Sequence, residues 1–172
     1  MIPGPFAYHR PTSVKDAVGL LGSLGDDARA IAGGHSLIPM MKLRLASPAH
    51  LIDLSGVADL KGIREDDRDI VVMAMTTQHE LVGSELLTNK IPILRETSLQ
   101  IADPQVRYVG TIGGNVANGD PGNDMPAVMM FAYSARGLSH CKDEDTPQEH
   151  LEKAISAFLL LVDKTVASVA QS

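Results

Sequence analysis

The stretch Ile31 to Arg44, Ile-Ala-Gly-Gly-His-Ser-Leu-Ile-Pro-Met-Met-Lys-Leu-Arg, restricts the fold of this chain more than any other. A short apolar run, Ala28 to Ala32, stops at two glycines, and apolar residues at helical spacing begin directly afterwards. Two adjacent glycines permit positive φ and leave backbone N–H groups uncovered. A helix that starts beyond them aims further unpaired N–H groups and a partial positive charge at the same point. That arrangement suits an anion, most often a phosphate. A second reading is equally open on these residues alone: Gly33-Gly34 is only a strand-to-helix turn with Ser36 as its N-cap.

The neighbouring residues set that stretch in a βαβ unit. Phe6, Tyr8 and Arg10-Pro11 read as an extended lead-in. Thr12 or Ser13 caps a helix with Val14, Ala17, Val18, Leu21 and Leu24 at helical spacing, which Gly25 stops. The helix opened by Ser36 carries Leu37, Met40, Met41, Leu43 and Leu45 and ends before Pro48, and His50 to Leu54 is a further strand. Strand, helix and strand with short links imply a parallel pair. The pattern then changes. Leu60 to Arg64 and Asp69 to Ala74 flank the polar turn 65–68 as an antiparallel hairpin. Thr76 or Thr77 caps a helix through Leu81, and Ser84 to Asn89 and Pro92 to Ile101 form a second helical region, broken by the run Ala102 to Arg107.

A second glycine-rich stretch runs from Gly110 to Asp124, with five glycines, three asparagines and two aspartates in fifteen residues. So few apolar side chains read as a surface loop of many turns, and such loops commonly carry a ligand. An unstructured linker is the competing reading. Asp120, Asn123 and Asp124 lack the spacing and terminal glutamate of a calcium loop, so no metal is expected. Neither glycine stretch is a P-loop or a dinucleotide fingerprint: Gly33-Gly34-His35-Ser36 lacks the Lys-Ser/Thr pair, and no Gly-x-Gly-x-x-Gly opens a helix after a strand. What remains is two glycine pairs about eighty residues apart, able to meet around one diphosphate.

Composition narrows the function classes. The formal charge of −6 argues against a general nucleic-acid or acidic-membrane surface, and six aromatics are too few for a base-stacking platform. No apolar stretch approaches the roughly 18 residues of a membrane span, and the start lacks a signal-peptide pattern, so the expectation is a cytoplasmic protein. Cys141 is the only cysteine, which leaves no internal disulfide, zinc cluster or iron–sulfur cluster.

Ala32-Gly33-Gly34-His35-Ser36-Leu37-Ile38-Pro39-Met40-Met41-Lys42 and Thr111-Ile112-Gly113-Gly114-Asn115-Val116-Ala117-Asn118 resemble the two FAD-binding loops of the medium, flavin-carrying subunits of molybdenum hydroxylases. Ala102 to Arg107 and Gly119 to Asp124 extend the resemblance, most closely toward the carbon monoxide dehydrogenase type, over about residues 1–130. The resemblance implies an α+β fold with FAD between two subdomains, a small βαβ unit (1–54) and an antiparallel sheet with helices (55–133). It implies that Gly33, Gly34, His35 and Ser36 bind the pyrophosphate through backbone N–H groups and the serine hydroxyl, with Ala32 and Leu37 also binding the cofactor. It implies that Thr111, Gly113, Gly114 and Asn115 close over the same diphosphate and the ribityl chain, that Asn118 and Asp120 lie close to the cofactor, and that Ile112 and Asp124 belong to its binding residues. It further implies a hetero-oligomer with a large molybdenum-cofactor subunit and a small iron–sulfur subunit. Electrons then pass from the clusters through FAD to an external acceptor, with no acid–base residue of this chain acting on substrate.

After Ala127 the sequence departs from that family pattern. Residues 134–145 are polar, and Thr146, Pro147 and Glu149 then open a helix with Leu151, Ile155, Phe158, Leu159, Val162, Val166 and Val169 on one face. The second subdomain is therefore expected to be partial and the chain to be a truncated or altered version of the subunit. The alternative function is an assembly or interaction module without flavin activity. A self-contained flavin oxidase is disfavoured because no substrate domain is visible.

Overall fold

A computed structural model describes residues 2–135 apart from Arg68 and Pro121. The expectations for Cys141, the polar link beyond residue 135 and the helix at 146–172 lie outside the described residues.

The first unit is a parallel sheet of three strands, β1 (Ala7–His9), β2 (Ala28–Ile31) and β3 (His50–Asp53), in the order β1-β3-β2. The expected parallel pair is thus joined by a third strand, made by the lead-in around Tyr8, which pairs with Leu51. Helix α1 (Val14–Leu24) links β1 to β2. Ser13 caps it by accepting from the Asp16 N–H at 3.1 Å, and Gly25 ends it at φ 56°. Its apolar face meets the sheet in a cluster of Ala17, Ala28 and Ile52, flanked by Leu20, Leu21, Leu24 and Leu54.

Helix α2 (Leu37–Lys42) links β2 to β3 and is shorter than its apolar pattern suggests. Arg44 turns left-handed at φ 63°, its N–H donating to Met41 O at 3.2 Å while the Leu45 N–H donates to Met40 O at 2.9 Å. This paired closure ends the helix well before Pro48 and leaves Leu43 and Leu45 exposed.

The second unit begins with the hairpin β4 (Ile63–Asp66) and β5 (Asp69–Val72), joined through Asp67 at φ 52°. Thr77 starts α3 (Gln78–Gly83) with a complete capping box to Glu80. Ser84 caps α4 (Glu85–Lys90), and Pro92 opens α5 (Pro92–Gln100). The run expected only to break that helix also starts another. Ala102 stops α5 at φ 47°, and Asp103 accepts from the Val106 N–H at 2.9 Å to cap α6 (Pro104–Val109). Arg107 donates to the carbonyls of Leu99, Ile101 and Ala102 across this break.

The stretch expected as a loop from Gly110 to Asp124 holds a helix, α7 (Ile112–Asn118), and α8 (Asp124–Ala135) begins at its end. Thr111 is the N-cap of α7 and Gly119, left-handed at φ 63°, the C-cap, so the two residues that punctuate this helix were hidden among the other glycines. Ser134 and Ala135, read as the start of a polar link, are the last residues of α8. The core of this unit is Leu81, Leu87, Leu94, Ile112 and Met125.

Candidate functional site

The two glycine segments meet in one cleft of about 620 Å³, within the roughly 300–1,000 Å³ usual for ligand sites. It opens beyond the carboxyl ends of β2 and β3, where Ile31 and Leu54 line it, the end at which open parallel sheets bind ligands.

The segments are held together by backbone contact at their glycines. A Cβ on Gly33 would stand 2.9 Å from Gly110 Cα and closer still to the Val109 carbonyl oxygen. A Cβ on Gly114 would stand 3.2 Å from Ala32 Cβ and 2.8 Å from Thr111 Oγ1. Gly113 is pressed against the strip before α3, where its Cβ would lie 2.6 Å from Ala74 Cβ. These three positions demand glycine because protein packs against them. Gly34 adds a conformational demand: its φ of 75° sets the turn into α2, and a Cβ there would stand 2.7 Å from Ile38 Cδ1.

The donors divide unequally between the segments. Among the described residues, the N–H groups of Gly33, Gly34, His35 and Ser36 reach no acceptor, and all four residues line the cleft. Ser36 sits at the N-terminal edge of α2 in helical geometry, and its hydroxyl does not cap the helix. From Ile112 to Asn115 the second segment has spent its N–H groups on protein acceptors. Ile112 N–H donates to Thr76 O at 2.9 Å, Gly113 N–H to Ala74 O at 2.8 Å, Gly114 N–H to Thr111 Oγ1 at 3.1 Å and Asn115 N–H to Thr111 O at 3.0 Å. A wall of side chains and packed backbone therefore faces a row of free donors.

Of the residues expected around the cofactor, Ala32, Gly33, Gly34, His35, Ser36, Leu37, Thr111, Gly113, Gly114, Asn115 and Asn118 line the cleft. Ile112, Asp120 and Asp124 do not. Ile112 is 3% exposed and belongs to the core, where Val116, one turn further on, also packs. Asp120 binds its own turn, its carboxylate accepting from the Gly122 N–H at 2.8 Å. Gln78, Met75 and Arg29, which no sequence motif singles out, and Asn123, weighed by itself only for calcium, also line the cleft. Arg29 is tied to its own turn, donating to the carbonyls of Ala28 at 2.8 Å and Asp26 at 3.1 Å.

At the end of β3, the Tyr8 hydroxyl donates to Asp53, which also accepts from the Ser55 N–H at 2.8 Å and the Ser55 hydroxyl at 2.9 Å. Partial burial pushes the Asp53 carboxyl upward, but the donors from Tyr8 and Ser55, with Arg10 beside them, hold it below the usual carboxylate range. The same bond to Asp53 raises the Tyr8 phenol. This cluster fixes the strand end from which Leu54 enters the cleft.

The family described as "FAD binding domain in molybdopterin dehydrogenase" matches residues 4–153. The chain is 69% identical over 139 residues to the carbon monoxide dehydrogenase medium chain of Afipia carboxidovorans, covering 81% of this chain and 48% of that one. It is 55% identical to the medium chain of the same name from Hydrogenophaga pseudoflava, covering 76% and 45%. The solved reconstituted CO dehydrogenase from Oligotropha carboxidovorans superposes with a TM-score of 0.74 at 68% identity, over 76% of this chain and 46% of that one. The chain thus spans about half the length of the curated relatives it matches. The expected α+β architecture, a parallel unit followed by an antiparallel one, agrees with these structures. By that match and those identities, this chain belongs to the family of FAD-binding domains of molybdopterin dehydrogenases.

Proposed function

We propose that this chain is the FAD-holding part of a molybdenum-hydroxylase medium subunit of the carbon monoxide dehydrogenase type. In this reading it works in the cytoplasm, beside a small iron–sulfur subunit and a large molybdenum-cofactor subunit. It receives electrons from the clusters and passes them to an external acceptor. Bound FAD would supply the redox chemistry, and the protein the binding, orientation and electrostatic setting.

The observation that carries the reading is the row of free N–H groups from Gly33 to Ser36, opposite a wall built from the second glycine segment. Backbone N–H groups converging on one point stabilise a diphosphate without a cation, and Arg29, bound to its own turn, leaves that task to them. The Ser36 hydroxyl is available as a further donor. Thr111, Asn115 and Asn118 form the facing surface, with Gly113 and Gly114 supporting it from behind, and Ala32 and Leu37 close the ends of the first segment. The cleft is also large enough for more than a phosphate.

The test is the visible spectrum of the purified full chain, before and after addition of FAD and removal of the excess. The expected result is a yellow protein with a flavin spectrum that bleaches when the partner subunits and substrate are supplied. A folded, colourless chain that takes up no added FAD overturns the reading.

A further inference from the structure

Two buried side-chain oxygens lack any hydrogen-bond partner among the described residues, Gln78 Oε1 and Asn115 Oδ1, and both residues line the same cleft. Gln78 is only 2% exposed. A buried amide oxygen without a donor destabilises the fold, and such groups are rare enough that two in one cleft require an explanation.

Gln78 is also fixed in place. Its N–H donates to Gly110 O at 2.9 Å, and Thr77 and Thr111 pair beside it as an antiparallel bridge. Gly110 is the residue whose Cα lies against Gly33. Gln78 therefore sits beneath the junction of the two glycine segments and lines the same cleft as Gly33 to Ser36.

We propose that Gln78 is a cofactor-binding residue whose side-chain oxygen accepts a hydrogen bond from a sugar hydroxyl of the bound dinucleotide. The inference rests on the flavin reading above. A phosphate oxygen has no proton to give at neutral pH, so the diphosphate cannot satisfy this acceptor. In a dinucleotide the groups that flank the diphosphate on either side are the hydroxyls of the ribityl chain and of the ribose, while ring N–H groups lie further out. The terminal amide torsion of glutamine is soft, so the amide can turn to such a hydroxyl.

The experiment measures equilibrium binding to the full chain of FAD and of FAD analogues each lacking one ribityl or one ribose hydroxyl. Wild type is compared with Gln78→Met and Gln78→Leu, and the melting temperatures of the flavin-free proteins are recorded. The expected result is one analogue bound about tenfold more weakly than FAD by wild type. Gln78→Met then binds FAD about tenfold more weakly and no longer distinguishes that analogue from FAD. Whether the penalised analogue lacks a ribityl or a ribose hydroxyl identifies the partner. The flavin-free variant melts no lower than wild type, because an unpaired polar atom has been removed. A flat analogue series in wild type overturns the proposal even if neither variant folds. So does a variant that melts lower yet keeps the penalty, which would make Gln78 a prop. Wild-type chain that takes up no FAD overturns the flavin reading itself, a result distinct from uptake with a flat series.

Discussion

Gly33 has no room for a methyl group, because the neighbours a Cβ would strike are the backbone of Val109 and Gly110, which cannot swing aside as a side chain can. Gly33→Ala must therefore push the two segments apart. The expected cost is about 1–3 kcal/mol of stability, the usual range for overpacking, together with loss of FAD retention. Thermal melting and the bound-flavin absorbance check both, and a variant that keeps the stability and flavin of wild type would contradict the packing described. Asp53 makes a different claim, on pH. Its carboxyl is depressed in the folded protein, so it contributes stability above the ordinary carboxylate value of about 3.9. That contribution is lost as pH falls through the lower folded value. Removing the phenol donor in Tyr8→Phe raises the Asp53 carboxyl toward its ordinary value, and acid unfolding moves to higher pH. Carboxyl NMR titration with an acid melt would detect this, and an unmoved Asp53 would refute the assignment.

Elements were legible in this sequence where their ends carry the usual chemistry. Thr12 or Ser13 with Gly25, Thr76 or Thr77, and Pro92 marked the starts of α1, α3 and α5, and the structure selects Ser13 and Thr77 as the caps. They were illegible where a residue stood against type or a signal was crowded. Arg44 occupies a left-handed position usually given to glycine, so α2 read as longer than it is. Thr111 and Gly119 punctuate α7 but were lost among the glycines around them, and the helix read as a loop. The site shows the same division. The glycine segments were legible as motifs, whereas Gln78 entered through tertiary placement under Gly110, which no local pattern encodes. The Arg44 position yields a prediction. Arg44→Gly removes a left-handed side chain at a cost in unfolded-chain freedom, so it should stabilise the protein by about 0.5–1 kcal/mol. Melting of the variant checks the sign, and a drop in melting temperature would show that the arginine side chain contributes more than its backbone costs.

At the scale of the molecule, the two units differ in what they contribute. The parallel unit supplies a strand end and free N–H groups, and the helical unit supplies a wall whose N–H groups from Ile112 to Asn115 are already bonded to Ala74, Thr76 and Thr111. The cleft is thus donor-rich on one side and structural on the other. This asymmetry is measurable in the full chain by following backbone amide resonances with NMR while FAD is added. The N–H signals of Gly33, Gly34, His35 and Ser36 are expected to shift most, and those of Ile112, Gly113 and Gly114 to shift little. Shifts concentrated on Ile112 to Gly114, or FAD bound with the Gly33 to Ser36 signals unmoved, would contradict it.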